Sequence, residues 1–271
     1  MSDKINYQVI ISSCGKYSDL WDAHIQLMRQ NWPEHGKAYL VTDTPTDRTF
    51  EDVEVICAGE GMEFTDRLKL ALDRVETEYV FFTLDDYFLT EKIDTQAILQ
   101  AIAVMSEQKL DYLRLYQVWK TVLKKEHAVE IPGHKGYFLR DPSEGNYKIS
   151  LYPGIWRTEF MRQTLRQPLN AWEYEVSLTE IAEELQARCA VNNNPIFPFM
   201  DVIRKGKVLR NADRYFRRNP IYQSDRPVRT VWEEWKLNSR TVIGRLLPKP
   251  LFRAAKKLMI RLGMKFYSPL K

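Results

Sequence analysis

The 271-residue chain is poor in the residue types that build covalent or metal-stapled frameworks. Its three cysteines, Cys14, Cys57 and Cys189, are widely spaced and odd in number, which argues against a disulfide framework and against a zinc site. The four histidines follow no metal-ligand spacing. The 11 glycines are spread thinly and form neither a GxGxxG nor a Walker pattern, so the chain lacks a glycine-rich phosphate loop.

Long hydrophobic runs are also missing. No run of about 18 apolar residues occurs, and we therefore predict no membrane-spanning helix. The polar opening MSDKINYQ lacks the apolar segment of a secretory signal, so we expect none. Unpaired cysteines and the lack of a signal together favour a reducing cytoplasm.

What the chain does have is an uneven distribution of charge around a formal net charge of +4. From Arg204 to Lys271 there are 19 Lys and Arg against 4 Asp and Glu, a net charge of +15. The rest carries 21 basic and 32 acidic residues, a net charge of −11. An acidic body with a basic C-terminal region predicts a polyanionic partner, either a membrane surface or a nucleic acid.

The segment Pro250–Phe266 has the pattern of a cationic amphipathic helix. Its bulky apolar side chains fall within about 120° of a helical wheel and its basic side chains lie opposite. Such a helix is typical of the membrane interface, where each basic residue contributes about 1 kcal/mol on anionic lipid. A helix packed on the protein's own body is the alternative. Nucleic acid is a weaker one, because no recognised nucleic-acid motif is present.

Strands alternate with helices over the first hundred residues, which favours βαβ units and a mostly parallel sheet. Apolar patterning predicts strands over 7–15, 37–44, 53–59 and 80–89, and helices over 20–32, 64–75 and 94–108, the last capped by Asp94.

Further along, the patterning predicts a strand over 110–118, a turn feeding a helix over 150–165, and a helix starting at Ser177, which stands in capping-box spacing with Glu180. The polar stretch 120–150 is predicted to be a long loop or an insert.

The stretch VFFTLDDYFL, Val80 to Leu89, places two acids after a strand of buried type. Ligands of open α/β sheets bind beyond the carboxyl ends of the strands, where Asp85 and Asp86 would lie. Two carboxylates there suit Mg²⁺ or Mn²⁺ together with substrate phosphates, and the cation would neutralise the charge on a departing nucleoside diphosphate. A solvated turn after the strand is the alternative interpretation.

A resemblance to a known family is carried by five segments in order: SSCGKYSDLW, YLVTDT, EYVFFTLDDYFL, LYPGIWRTEFM and AWEYE. With these segments the chain resembles the GT-A nucleotide-sugar glycosyltransferases of bacterial cell-surface polysaccharide assembly (capsule, lipopolysaccharide or O-antigen). The resemblance covers about residues 7–210 and implies a Rossmann-like, mostly parallel central sheet flanked by helices. Together with the basic amphipathic helical C-terminal tail that the charge pattern predicts, it divides the chain into a catalytic domain, 1–215, and a membrane-associating region, 216–271. Two departures are the motif LDD in place of D-x-D and the lack of any histidine after His134.

The resemblance also implies roles for individual residues. Asp86 would be the metal ligand, and Asp85 would face the ribose or share the metal. Polar side chains of the first loop, the second strand end and the next helix would contact the base, ribose or phosphate: Ser12, Ser13, Tyr17, Asp43 and Arg67. The alternatives are loop-capping roles and, for Arg67, a solvated helix face.

An inverting transfer needs a carboxylate that takes the proton from the acceptor hydroxyl. Glu173 and Glu175 are the candidates, beside Trp172 and Tyr174, whose rings offer a sugar-stacking wall. Glu173 could instead form a capping box with Asn170 if the helix begins early, and the choice therefore leans towards Glu175.

Two further elements are predicted to meet the substrates. The segment YPGIWR would place Gly154 against the donor sugar or the acceptor, with Trp156 as a platform, although core packing of Trp156 is the alternative. The stretch 120–150, which contains His134, would act as an acceptor lid.

The sequence therefore predicts an inverting, metal-dependent glycosyltransferase at the cytoplasmic face of the membrane. It would use Mn²⁺ or Mg²⁺ and a nucleotide-sugar donor, by preference UDP-linked, and a lipid-linked saccharide acceptor. Its tail would bind an anionic membrane surface, and nucleic acid is not expected as a partner. A nucleotidyltransferase and a non-catalytic module that binds membranes or polyanions are the alternatives.

Overall fold

Two units, Met1–Met200 and Asp201–Lys271, make up the chain in the computed structural model, which describes residues 7–140 and 149–235. The division predicted from the sequence, 1–215 and 216–271, stays a prediction. The predicted amphipathic helix Pro250–Phe266 lies outside the described residues.

The first unit alternates strands and helices as the apolar patterning predicts. Its strands are β1 Tyr7–Ser12, β2 Ala38–Thr42, β3 Val53–Cys57, β4 Tyr79–Leu84, β5 Tyr87–Leu89, β6 Tyr112–Arg114, β7 Val129–Glu130, β8 Tyr137–Leu139, β9 Gly154–Arg157 and β10 Cys189–Asn192. Its helices are α1 Trp21–Asn31, α2 Phe64–Leu72, α3 Thr95–Glu107, α4 Lys120–Lys125, α5 Thr158–Thr164 and α6 Ala171–Glu184, and a 3₁₀ helix covers Gly15–Leu20.

Nine of these strands form one sheet in the order β3-β2-β1-β4-β9-β6-β10-β8-β7. β9 and β8 run antiparallel to both of their neighbours, and the other seven strands run in one direction. The predicted mostly parallel sheet is confirmed. Because β9 is reversed, its first residue, Gly154, lies beside the ends of β4 and β6, opposite Phe82 and Arg114.

Apolar side chains cover both faces of this sheet. Successive strand residues point to opposite faces: Phe81 belongs to a cluster with Trp32, and Phe82 belongs to a second cluster with Trp156 and Tyr174. Trp156 is fully buried, so the core-packing interpretation of this residue is correct and its predicted role as a platform is wrong.

The structure corrects one prediction of secondary structure and decides between two alternatives for another. The helix predicted to start at Ser177 begins six residues earlier, at Ala171, because Asn170 and Glu173 form the capping box there. The Ser177 hydroxyl lies inside the helix and donates to the Tyr174 carbonyl over 2.9 Å. For the stretch 120–150, the insert is the correct alternative and the long loop is wrong, since its described part contains α4 and the β7–β8 pair at the sheet edge.

The described part of the second unit is small and basic. It contains the β12–β13 hairpin (Ile203–Arg204 and Lys207–Val208) and helix α7 (Arg210–Arg218), while β11 (Phe199–Asp201) spans the boundary between the units. Val208 also bridges to Val228. Across 7–140 and 149–235, no helix is long and apolar enough to cross a membrane.

Candidate active site

The carboxyl ends of β1, β2 and β4 lie side by side and bring three of the predicted site segments together. Ser12 is in register with Val41 of β2 and with Leu84 of β4. The residues that follow, Ser13, Asp43 and Asp85, therefore line one edge of the sheet. Ligands of open α/β folds bind at such an edge.

Asp85 is held in place by Ser13 and Trp21. It is 5% exposed, its backbone N–H donates to the Ser12 carbonyl over 3.3 Å, and its Oδ2 accepts the Ser13 hydroxyl. The Trp21 indole N–H donates to Ser13 Oγ over 2.6 Å. Burial raises the pKa of Asp85 to about 7, although the hydrogen bonds of Ser13 and Trp21 act in the opposite direction. The solvated-turn interpretation is therefore wrong for Asp85.

His24 supports the same turn and was not singled out by the sequence analysis. Its ring is fully buried, lies near the backbone of Asp85, and packs edge-on against Phe88 with 5.7 Å between ring centroids. Burial lowers the pKa of His24 to about 4, so the ring is neutral at physiological pH. Trp21 and His24 lie three residues apart on the buried face of α1. Ordinary core residues of a helix have the same spacing, so the sequence pattern does not distinguish these two residues from them.

Asp43 holds the loop that follows β1. Its Oδ1 accepts the Gly15 N–H over 2.7 Å and the Thr44 hydroxyl over 2.9 Å, and its Oδ2 lies 3.5 Å from Arg67 Nη1. Burial raises the pKa of Asp43, but the bonds from Gly15 and Thr44 and the charge of Arg67 outweigh it and leave the pKa below its ordinary value. A Cβ on Gly15 would lie 2.0 Å from Thr44 Oγ1, so the close approach requires glycine.

Arg67 is buried beside this loop, which makes the solvated-face interpretation wrong. Its Nη1 donates to the Met62 carbonyl over 2.8 Å, and its guanidinium lies 5.9 Å from the centre of the Phe64 ring. Its Nε is buried without a hydrogen-bond partner among the described residues. A buried arginine with an unused donor at the carboxyl edge of the sheet is suited to an anionic ligand.

The other two predicted residues of the first loop differ in exposure. Ser12 is buried, and its Oγ has no hydrogen-bond partner within the described part of the chain. Tyr17 is half-buried in the 3₁₀ helix, where its N–H donates to the Cys14 carbonyl over 2.9 Å. Ser12 ends β1 and Tyr17 lies in the 3₁₀ helix that follows, so the two residues flank the loop position where Asp43 binds Gly15.

Asp86 differs from Asp85 in being half-buried, although its Oδ1 atom is buried. Among the residues that the structure describes, no three His, Cys, Asp or Glu side chains converge on a point that would hold a metal ion. A protein-only metal cage does not fit this site. A cation held by one carboxylate and completed by phosphate oxygens and water does fit, and this is the usual mode of Mg²⁺ binding with nucleotides.

An aromatic cluster follows the aspartates. The Tyr87 and Tyr152 rings stack with centroids 5.5 Å apart, and Tyr152 stacks on Tyr116 at 4.6 Å. Phe199 packs edge-on against Tyr87 at 4.8 Å. Next to this cluster is a groove of about 470 Å³ whose lining includes Tyr116, Trp119, Asn193 and Phe199.

The two candidate bases have different surroundings. Glu173 caps α6 and is exposed, and its Oε2 accepts the Asn170 N–H over 3.4 Å. Glu175 is half-buried, and its Oε1 accepts the Leu151 N–H over 3.1 Å. Burial raises the pKa of Glu175 above its ordinary value, although the Leu151 bond lowers it. Leu151 precedes Tyr152, so Glu175 is linked to the aromatic cluster beside the aspartates.

Comparison with known proteins gives similarity at the level of the fold. No protein-family profile matches the chain, and no curated protein sequence does. Among solved structures, the mannosyltransferase PcManGT from Pyrobaculum calidifontis in complex with GDP-Man and Mn²⁺ is 12% identical, with a TM-score of 0.50 over 74% of this chain and 58% of that one. S. aureus TarS 1-349 in complex with UDP-GlcNAc is 16% identical, with a TM-score of 0.48 over 75% and 60%.

The chain thus spans about 60% of the length of these structures. Together with the sheet order, the similarity to the mannosyltransferase shows that the fold is the GT-A type of α/β fold predicted from the sequence.

Proposed function

We propose that the chain is a glycosyltransferase that moves a sugar from a nucleotide donor, by preference UDP-linked, to a lipid-linked saccharide of cell-surface polysaccharide. The observation that carries the proposal is the meeting of Ser13, Asp43 and Asp85 at the carboxyl edge of a GT-A-type sheet, with the half-buried Asp86 next in the chain. The fold is shared with a mannosyltransferase that binds GDP-Man and Mn²⁺, which supports a nucleotide-sugar donor here.

The donor nucleotide would lie over the loop after β1. Asp43 and Ser12 offer hydrogen bonds to ribose or base, Tyr17 offers an aromatic face, and Arg67 offers its unused donor to a phosphate or base. Asp86, with Asp85 behind it, would hold Mn²⁺ or Mg²⁺ against the diphosphate. When bound, the cation would neutralise the negative charge on the departing nucleoside diphosphate.

Glu175 is our proposed base. Its carboxylate would take the proton from the acceptor hydroxyl while the hydroxyl oxygen bonds to the anomeric carbon and the bond to the diphosphate breaks, with inversion. The partial burial of Glu175 and its raised pKa support this choice, whereas the capping bonds of Glu173 account for that residue structurally.

The acceptor would enter through the aromatic groove. Tyr116 is 40% exposed and Trp119 is 72% exposed, so both rings are available for stacking on sugar rings. The Asn193 carboxamide is engaged by the chain itself, because its Oδ1 accepts the Val118 N–H over 2.8 Å and so fixes the groove wall. In this proposal the region 216–271 places the enzyme on the cytoplasmic face of the membrane, where lipid-linked acceptors are exposed.

Thermal stability with UDP, GDP, CMP and ADP, each with and without Mn²⁺, tests the proposal. An increase in Tm with UDP that requires Mn²⁺ is expected and would be followed by UDP-sugar hydrolysis assays. Asp86→Ala should abolish both effects. Asp73→Ala is the matched control, since Asp73 is an exposed partner of Arg162 and exposed ion pairs contribute little.

A metal-dependent increase in Tm with a different nucleotide would still support a glycosyltransferase but would assign it a different donor nucleotide. A folded protein that responds to none of the nucleotides would refute the glycosyltransferase and favour a module that binds membranes or polyanions.

A further inference from the structure

Four arginines surround a cavity of about 520 Å³ in the second unit. Three of them, Arg210, Arg214 and Arg217, lie on one face of α7 at positions i, i+4 and i+7. The fourth is Arg229, on the segment Val228–Thr230 that forms the opposite wall. The buried residues of α7 are Ala212 and Phe216, so the face that carries the three arginines does not pack in the core.

The acidic residues near this cavity do not balance its arginines. Among the described residues that line the cavity, Asp213 is the only acidic one, and its Oδ2 is already bound to Arg217 Nε at 2.9 Å. Arg210 Nε lies 3.8 Å from Glu234. Arg214 forms no ion pair with any residue in the described ranges. The stretch 236–271 contains no Asp or Glu that would supply the missing charge.

Arg229 is the most informative member of the group. Its side chain is 8% exposed, although it carries a full charge. Its Nη1 donates to the Arg204 carbonyl over 3.3 Å, and its Nε is buried with no hydrogen-bond partner in the described part of the chain. The Asp201 carboxylate interacts electrostatically with Arg229 but is already bound to Arg204 at 2.8 Å, so two arginines share one acid. A buried donor that is left without a partner, such as this Nε, is costly unless a ligand supplies an acceptor.

A neighbouring cavity of about 370 Å³ shares Arg210 and Arg214 but includes Asp201 and Glu234. Those carboxylates would repel an anion, and among the described residues they line this second cavity and not the first, although Asp201 also acts electrostatically on Arg229. The cavity beside Arg229 is therefore the better anion site of the two.

We propose that the cavity bounded by Arg210, Arg214, Arg217 and Arg229 binds a phosphate or diphosphate group. Guanidinium groups recognise phosphate through charge-assisted, often bidentate hydrogen bonds. The phosphate would come from an anionic lipid headgroup or from a soluble phosphate ester. This site is independent of the proposed glycosyltransferase activity, because it uses only residues of the second unit.

One feature near the cavity bears on the source of the phosphate. Trp232 and Trp235, which follow Thr230, stack on each other at 4.7 Å and are 65% and 57% exposed. Exposed tryptophans beside basic residues are typical of the membrane interface. A lipid phosphate would allow both groups to act together.

The test is calorimetric titration of the full chain with pyrophosphate. A chelating buffer removes divalent cations, so the proposed metal-dependent donor site should not bind pyrophosphate and contribute to the signal. Arg214→Gln should weaken binding about tenfold, the effect of losing one charge-assisted contact. Arg218→Gln is the matched control, because Arg218 is exposed on the same helix and does not line the cavity. It should change the dissociation constant less than about twofold.

If pyrophosphate does not bind, or if both variants weaken binding equally, the cavity is not a site and the proposal fails. Sedimentation with phosphatidylglycerol vesicles, against phosphatidylcholine vesicles, then distinguishes the sources. Vesicle binding that Arg214→Gln weakens and pyrophosphate competes identifies a lipid headgroup. Pyrophosphate binding that depends on Arg214, with vesicle binding unaffected by the substitution, identifies a soluble phosphate ester.

Discussion

Ser13→Ala should destabilise the protein through two buried partners rather than through its own lost hydroxyl. In the structure Ser13 Oγ accepts from the Trp21 indole and donates to Asp85, and both partners are almost fully buried. A buried group that loses its partner costs about 1–3 kcal/mol, and more if it is charged. We therefore expect Ser13→Ala to lower the free energy of unfolding by about 2–5 kcal/mol.

A double-mutant cycle with Trp21→Phe separates the two partners. Trp21→Phe alone costs stability because it leaves a cavity in the core. In that background Ser13→Ala no longer orphans an indole N–H, so its cost should fall by about 1–3 kcal/mol. The assay is urea unfolding followed by circular dichroism at one fixed pH.

Ser177→Ala is the control, because its hydroxyl makes one local bond within α6. It should cost no more than about 1 kcal/mol. Two results would refute this prediction. One is a cost of less than about 0.5 kcal/mol for Ser13→Ala, and the other is a double variant in which the costs of Ser13→Ala and Trp21→Phe add to within about 0.5 kcal/mol.

Three further predictions concern the proposed substrates. Burial raises the pKa of Glu175, and a general base must be ionised, so the acidic limb of the pH–kcat profile should lie above the ordinary glutamate range. Glu175→Gln should abolish transfer, whereas Glu173→Gln should lower only Tm, because Glu173 caps α6. Equal kcat values for the two variants would contradict this. Gly15→Ala should weaken UDP binding by calorimetry, and adding Thr44→Gly should restore it by removing the clash; an unrestored double variant would contradict this. Trp119→Ala should raise the acceptor KM in transfer assays and leave donor hydrolysis unchanged; loss of hydrolysis would place Trp119 at the donor.

Local patterns in the sequence are sufficient to predict the parallel half of the sheet. β1, β2 and β4 are apolar runs that end in polar residues, so both the strands and the edge where Ser13, Asp43 and Asp85 meet can be inferred from a few residues each. The same local logic fails for the start of α6. Two capping boxes are possible there, at Asn170 and at Ser177, and only tertiary packing decides between them.

Features that depend on distant pairing could not be predicted. β9 enters the sheet between β4 and β6 in the reverse direction, and no short pattern in four residues specifies that. The aromatic cluster of Tyr87, Tyr116 and Tyr152 is assembled from three segments far apart in the chain. His24 is indistinguishable by spacing from an ordinary core residue, although its ring lies near the backbone of the aspartate turn.

The adjacent aspartates of LDD have unequal roles in our interpretation, and this gives a last prediction. Asp85 is buried and accepts the Ser13 hydroxyl, whereas Asp86 is half-buried, so one acid would organise the loop and the other would hold the cation. Asp85→Asn keeps an oxygen that accepts the Ser13 hydroxyl and should retain a metal-dependent rise in Tm with nucleotide. Asp86→Asn keeps the hydrogen bond between Ser13 and Asp85 and should lose that rise. The opposite pattern would exchange the two roles, and loss in both variants would mean that the two carboxylates share the metal.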